Sequence, residues 1–185
     1  DVTAGYDYQY WKSTTPLYSE MNTLGEIQKT SKASDERHVL LSYYGRLNYS
    51  FNSRYMLTTT VRRDATSRFA KNVRWGTFPS VALGWRVTEE SFLKDNKVIS
   101  TLKVRASYGV TGQQDGIGNY NYLPIYTISQ SGAGSLIGGT PTPTYRPKAY
   151  VPNLKWETTS SFNFGLDFGF LDSRISGNID VYKMV

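Results

Sequence analysis

Few residues in this chain could do covalent or metal chemistry. His38 is the only histidine and there is no cysteine, so a two-histidine metal site, a thiolate site and a Cys nucleophile are excluded. A single His at the start of a strand is more often a surface or interface residue than a ligand. Asp115, Gly116, Gly118 and Asn119 form an oxygen-rich stretch, but without the spaced carboxylates and closing Glu of a calcium loop it reads as a turn. The paired acids, Asp35-Glu36 and Glu89-Glu90, are adjacent in sequence, and on a strand adjacent side chains point to opposite faces. No serine sits in a nucleophile-elbow pattern, and the Asn48-Tyr49-Ser50 triplet falls mid-strand. Catalysis, a bound metal and a cofactor are therefore not expected.

The remaining chemistry is ionic and aromatic recognition. Arg46, Arg62, Asp64, Arg86, Lys103, Arg105, Glu157 and Asp167 recur at strand spacing. Two roles stay open for them: ion pairing between neighbouring strands, or lining a path for a polar substrate. A second group lies between strands: Arg68, Lys71, Arg74, Tyr120, Tyr122, Tyr126, Tyr145 and Tyr150. Tyrosines among Gly and Pro suit stacking on sugars or holding extended peptides, and they suit packing over a barrel mouth equally well.

The elements that position these residues follow from a period of two. Phe162, Phe164, Leu166, Phe168 and Phe170 alternate with Ser161, Asn163, Gly165, Asp167 and Gly169; an amphipathic helix would scramble that separation. The same test gives strands around 41–51, 55–64, 80–87, 102–111 and 174–181, with a weaker one at 2–10. Connections alternate in length: Asn52-Ser53-Arg54 and Leu171-Asp172-Ser173 are short, Thr88–Ile99 is intermediate with one helical turn, and 11–37, 65–78 and 112–155 are long. Short turns on one side and long loops on the other are the habit of bacterial outer-membrane barrels.

Composition fits that architecture. Fifteen Tyr, eight Phe and four Trp make 15% of the chain, which favours strands and implies that rings serve a surface as well as a core. No apolar stretch approaches the roughly 18 residues of a spanning helix, and mean hydropathy is −0.45, whereas barrel strands turn only alternate residues to lipid and escape that test. The formal net charge of +6 is spread along the chain rather than clustered, so nucleic acid is not an expected partner. Strands of about ten to thirteen residues exceed the usual soluble strand and match a membrane crossing. A soluble carbohydrate-binding β-sheet protein is the rival reading. With no signal peptide ahead of Asp1 and no closing partner for the last strand, residues 1–185 are expected to be part of a barrel domain, with the remaining strands and any plug outside it.

Several motifs then carry a resemblance. Gly45-Arg46-Leu47-Asn48-Tyr49 leads to Arg54-Tyr55, and Arg62-Arg63-Asp64 is followed by Ser67-Arg68-Phe69 and Arg74-Trp75-Gly76. Leu83-Gly84-Trp85-Arg86, Glu89-Glu90-Ser91-Phe92-Leu93, Gly109-Val110-Thr111-Gly112-Gln113 and Asn153-Leu154-Lys155-Trp156-Glu157 continue the series. In order and spacing, about 43–182 resembles the SusC/RagA-type TonB-linked outer-membrane proteins of Bacteroidetes. Ala65, Thr66 and Asn121 depart from the family's pattern at loop tips. The resemblance implies an all-β, antiparallel transmembrane β-barrel wall of about seven strands within a larger, plugged barrel of about 22. It also implies a bacterial outer-membrane location, import of a glycan or peptide nutrient, a SusD-like lipoprotein lid, and contact with TonB through a plug region not in this chain. A siderophore-type TonB-dependent receptor is the nearest alternative.

Overall fold

The computed structural model describes residues 1–94, 96–128 and 134–185. Strand β1 (Val2–Thr15) is followed by a small hairpin, β2 (Tyr18–Met21) with β3 (Ile27–Ser31). Next come β4 (Ser34–Phe51), β5 (Tyr55–Thr66), β6 (Trp75–Arg86) and β7 (Ile99–Gln113). Four short strands, β8 (Tyr126–Ile128), β9 (Gly134–Ile137), β10 (Thr140–Pro143) and β11 (Tyr145–Pro147), precede β12 (Glu157–Phe170) and β13 (Ile175–Met184). The long strands form one seven-stranded antiparallel sheet in the order β1-β4-β5-β6-β7-β12-β13, a meander whose sequence neighbours pair.

Register fixes what each face carries, because a one-residue slip would exchange the faces. One row crosses six strands as Phe51, Tyr55, Trp85, Val104, Leu166 and Ile179, and the next as Tyr49, Leu57, Leu83, Ala106, Phe164 and Val181. Both are wholly apolar or aromatic. The rows behind them read Ser50, Met56, Gly84, Arg105, Gly165, Asp180 and Asn48, Thr58, Ala82, Ser107, Asn163, Tyr182. Among the described residues no layer covers the apolar face: Leu83 is 56% exposed and Phe164 54%.

The two tight turns, β4–β5 and β12–β13, lie at one end of the sheet together with the 87–98 connection, and the 16–33, 67–74 and 114–156 connections lie at the other. At the β4–β5 turn Asn52 and Ser53 have φ of 50° and 55°, and the Arg54 N–H donates to the Phe51 carbonyl at 3.0 Å. Two consecutive left-handed residues give the turn whose twist matches a hairpin. The β12–β13 turn is tied to its neighbour by the Leu171 N–H donating to the Val98 carbonyl at 2.9 Å. The turns are staggered. Tyr55, where β5 begins, shares its row with Leu166 of β12, three strands along, yet β12 continues to Phe170. That stagger of about four residues (~13 Å) over three strand spacings (~14 Å) corresponds to a strand tilt of about 40°, the value a closed barrel requires.

Several elements run further than periodicity indicates. β1 and β4 stay paired up to Thr15↔Ser34, so the expected loop 11–37 shrinks to the β2–β3 hairpin and its flanks. Lys12, Asp35 and Arg37 support the extension: Asp35 accepts from Arg37 at 2.7 Å and lies 3.6 Å from Lys12. β4 reaches 18 residues, longer than expected, and the loop between β5 and β6 contracts to 67–74. The expected helical turn is a 3-10 turn at Val87–Glu89. The long loop carries two paired ribbons, β8 with β11 and β9 with β10.

One irregularity shapes the upper end. β6 and β7 pair only as far as Ser80↔Gly109, although each continues beside its other neighbour. Pro79, which has no N–H for a ladder, stands where that pairing stops. The gap is filled by a buried cluster of Phe69, Phe78 and Trp156, packed by Leu40, Val73, Val110, Ile117 and Leu154. Phe78 fits because Gly76 and Gly112 flank it: a Cβ on either would meet the Phe78 ring.

Candidate substrate path and loop site

Register places Arg46, Arg62, Asp64, Arg86, Lys103, Arg105, Glu157 and Asp167 on the polar face. They divide into two kinds. Arg62 donates through Nε to both carboxylate oxygens of Asp64 at 2.9 Å and through Nη2 to Ser42 Oγ at 2.9 Å. Ser42 is fully buried and Asp64 nearly so, while the Arg62 side chain remains 42% exposed, so a half-exposed guanidinium caps a buried carboxylate on its own strand and ties it to Ser42 of β4. Arg105 similarly grips Asp167, with Nη2 to Oδ1 at 2.8 Å, and reaches Asp180 at 3.1 Å. It reaches across because Gly165, its direct partner on β12, has no side chain; a Cβ there would lie 2.5 Å from Asp180 Oδ1 and 2.8 Å from Arg105 Cζ.

The second kind is open. Among the described residues Arg46 donates to Thr60 Oγ1, at 3.2 Å, and makes no ion pair. Among the described residues Arg86, Lys103 and Glu157 make no ion pair within 4.0 Å. Lys103 stands opposite Asp167 and Arg86 opposite Lys103, so two cations sit together near the short-turn end.

At the long-loop end Arg68 joins three segments. Its Nε donates to Asn119 Oδ1 at 3.1 Å, its Nη1 to the Gln114 carbonyl at 3.1 Å, and its Nη2 lies 3.4 Å from His38 Nε2. The loop returns the contact: Asn119 Nδ2 donates to Glu36 Oε2 at 3.0 Å, and the Tyr120 hydroxyl meets the Arg37 backbone at 3.4 Å. His38 stacks on Trp11 with ring centroids 4.4 Å apart. Burial, followed by the charge of Arg68, lowers the His38 pKa below its ordinary value of 6.5. Asp35, held by Arg37, is lowered to about 2.

Arg74 acts through its backbone, accepting a hydrogen bond from Trp156 Nε1 at 3.0 Å. That bond joins the start of β12 to the start of β6 above the point where the sheet opens. The tyrosines separate. Tyr120 belongs to the Arg68 buckle, Tyr122 is half-buried, and Tyr126 and Tyr145 are each 65% exposed on the β8–β11 ribbon. Asp115 to Asn119 form a turn, with Gly116 at φ +80°, and a shallow pocket beside it is lined by Glu36, Asn119, Tyr120, Asn121 and Lys148. Residues 129–133 of this loop lie outside the described residues.

Sequence reading missed three things. Ser42 looks like an ordinary small polar residue, and only register reveals it beneath Arg62. The Phe69–Phe78–Trp156 cluster breaks the polar alternation of its face; the signal was Gly76 and Gly112, small residues on either side of a bulky ring. The third is Glu90 at the short-turn end. It accepts from the Tyr55 hydroxyl at 2.6 Å, Trp85 Nε1 at 3.1 Å and Arg54 at 3.3 Å, and these donors, Tyr55 first, lower its pKa. Two rings of the lower apolar row are thus fixed by one carboxylate.

A family model for the "TonB dependent receptor-like, beta-barrel" matches residues 1–184. The chain belongs to that family of TonB-dependent receptor barrels. It is 54% identical to the TonB-dependent receptor SusC of Bacteroides thetaiotaomicron over 146 residues, 79% of this chain and 15% of SusC. It is 32% identical to the TonB-dependent receptor P39 of Formosa agariphila over 97% of this chain and 18% of P39. Among solved structures, the RagAB peptide importer in its open-open state aligns with a TM-score of 0.78 at 28% identity, covering 100% of this chain and 21% of that chain. The closed-closed state gives 0.77 at 26% identity, covering 99% and 21%. The chain therefore spans about a fifth or less of the relatives it matches. As in other TonB-dependent receptor barrels, the strands are those of an outer-membrane barrel wall.

Proposed function

We propose that this chain supplies part of the barrel wall of a SusC/RagA-type importer that takes a glycan or peptide nutrient across the outer membrane. The observation that carries the reading is the pair of apolar rows crossing six strands, backed by polar rows of the same length. An uncovered apolar face of that breadth is stable against hydrocarbon and unstable in water. An open sheet edge is equally unsuited to hydrocarbon, so the sheet closes with further strands.

The polar face is then the lumen, and its charges divide the work. The Arg62–Asp64–Ser42 and Arg105–Asp167–Asp180 clamps hold adjacent strands in register. Arg46, Arg86, Lys103 and Glu157, less fully occupied, line the substrate path. The exposed Tyr126 and Tyr145 offer stacking faces at the mouth, beside the surface on which a SusD-like lipoprotein lid rests. TonB supplies the driving force through a plug that fills the lumen.

Deleting the full-length gene tests this directly. Uptake of fluorescent oligosaccharides, or of fluorescent peptides, should fall to background in the deletion strain and return with the complemented gene. Unchanged uptake of both classes would contradict an importer of either.

A further inference from the structure

Charge is distributed unevenly between the two faces. On the seven long strands Asp7, Glu36, Asp64, Glu157, Asp167 and Asp180 all fall on the polar face by register, and Asp35, near the loop end of β4, is the acid on the apolar face. Lys12 and Arg37 stand beside Asp35 and pair with it; below that group the strands of this face carry two further cations and no carboxylate: Arg63, opposite Tyr43 and Thr77, and Lys183, opposite Phe162.

Arg63 stands at a defined height. It lies about eight residues up β5 from Tyr55, which at ~3.3 Å per residue and ~40° tilt is about 20 Å above the lower girdle. An outer-membrane barrel's apolar band is about 25 Å tall, so the Arg63 backbone lies about 5 Å below its upper edge on the long-loop side, a distance that the extended side chain spans by snorkelling to the head groups. Lys183, about eight residues up from the other turn at Ile175, reaches the same level. Arg63 has an aromatic shelf: its Cζ lies 5.1 Å from the centroid of the Trp75 ring, and Trp75 is stacked with Tyr43 at 6.2 Å. Tyr43, Trp75 and Tyr6 are exposed. A cation–π contact engages the flat face of a guanidinium and leaves its edge N–H donors free. Among the described residues no carboxylate lies within 4.0 Å of Arg63. A cation near the bilayer boundary is stabilised by a counter-charge; Asp35 is engaged by Arg37 and Lys12, and Glu90 by Tyr55, Trp85 and Arg54 at the opposite end of the sheet.

We propose that Arg63, on its Trp75–Tyr43 shelf, is a binding site for a phosphate-bearing lipid of the outer leaflet. The phosphate accepts from the guanidinium edge in the geometry that favours Arg over Lys, and the lipid's acyl chains descend over Val61, Thr59 and Leu57. Such a site holds the barrel at a fixed depth and rotation in the leaflet, independently of any substrate. The inference rests on the apolar face meeting lipid.

The test uses the full-length receptor in nanodiscs of phosphatidylethanolamine with added lipid A, either phosphorylated or enzymatically dephosphorylated. Lipid A retained per receptor after detergent exchange is read by mass spectrometry, and heat-modifiable gel migration confirms a folded barrel. Wild type should retain the phosphorylated form, Arg63→Gln about tenfold less and Arg63→Lys an intermediate amount, the loss of about one charge-assisted hydrogen bond. Equal retention by wild type and Arg63→Gln, or equal retention of both lipids by wild type, would overturn the site. A folded Arg63→Gln barrel that still meets lipid at Phe164 confines that failure to the phosphate site and leaves the importer reading standing.

Discussion

Replacing Phe164 with Arg probes the lipid-facing assignment energetically. Phe164 lies on the apolar face opposite Ala106 and Val181, about six residues above Phe170. At ~3.3 Å per residue and ~40° tilt it is about 15 Å above the lower end of β12, close to the middle of the apolar band. An Arg at the midplane of a barrel's lipid face destabilises by about 2–4 kcal/mol. Snorkelling upward brings the new guanidinium toward Lys183, diagonal to this site, so like-charge repulsion opposes the relief. One residue away, Asn163→Arg falls on the polar face opposite Ser107 and Tyr182, one row from Asp180, and should change stability by less than about 0.5 kcal/mol. Phe164→Ala removes the ring without adding charge and isolates the charge contribution. The assay is reversible urea unfolding of the full-length receptor in lipid vesicles, followed by tryptophan fluorescence. A Phe164→Arg variant as stable as wild type, beside an Asn163→Arg variant losing 2 kcal/mol or more, would refute the face assignment.

Three further outcomes follow from the polar face and the loop base. Phe78→Ala empties the gap between β6 and β7 and should cost about 3–5 kcal/mol, seen as earlier protease cleavage in the 114–156 loop before the barrel melts. Arg105→Met removes the shared partner of Asp167 and Asp180; because these groups are about one-third exposed, solvent screening limits the loss to about 1 kcal/mol by the same unfolding assay. Lowering pH should loosen the Arg68 buckle. His38 has its folded pKa below the unfolded value of 6.5, so the unfolded state takes up the proton first and the contribution, complete above pH 6.5, declines as pH falls below it. Asp35 remains ionised down to about 2, so protease sensitivity of this loop rising from pH 7 to 5 reports His38, and His38→Gln should abolish the dependence.

Much of the fold was legible because a period of two is a direct imprint of a two-sided sheet. Phe162 to Phe170 against Ser161 to Gly169 fixed both the strand and its faces, and the two short turns fixed the end at which strands reverse. The ends of β1, β4 and β6 were harder to read, since Lys12, Asp35, Arg37 and Trp75 continue strands whose partners are supplied by pairing rather than by alternation. The eight charges share the polar face that their alternation indicated, but their partners were hidden. Arg105 reaches Asp180 only because Gly165 leaves room, and Arg62 meets Ser42 only through the β4–β5 register. Arg68 was visible as a loop cation; its ties to His38, Gln114 and Asn119 join positions up to 51 residues apart, beyond the reach of local pattern.

The orientation of the two faces is measured most directly by labelling. The sequence has no cysteine, so Phe164→Cys and Asn163→Cys can each be introduced into the full-length receptor in its membrane and exposed to a lipid-soluble and a water-soluble thiol reagent. The account predicts that the substitution at 164 reacts with the lipid-soluble reagent and the one at 163 with the water-soluble one. The reverse pattern, or water-soluble labelling at 164, would contradict a barrel wall with its aromatic rows against lipid.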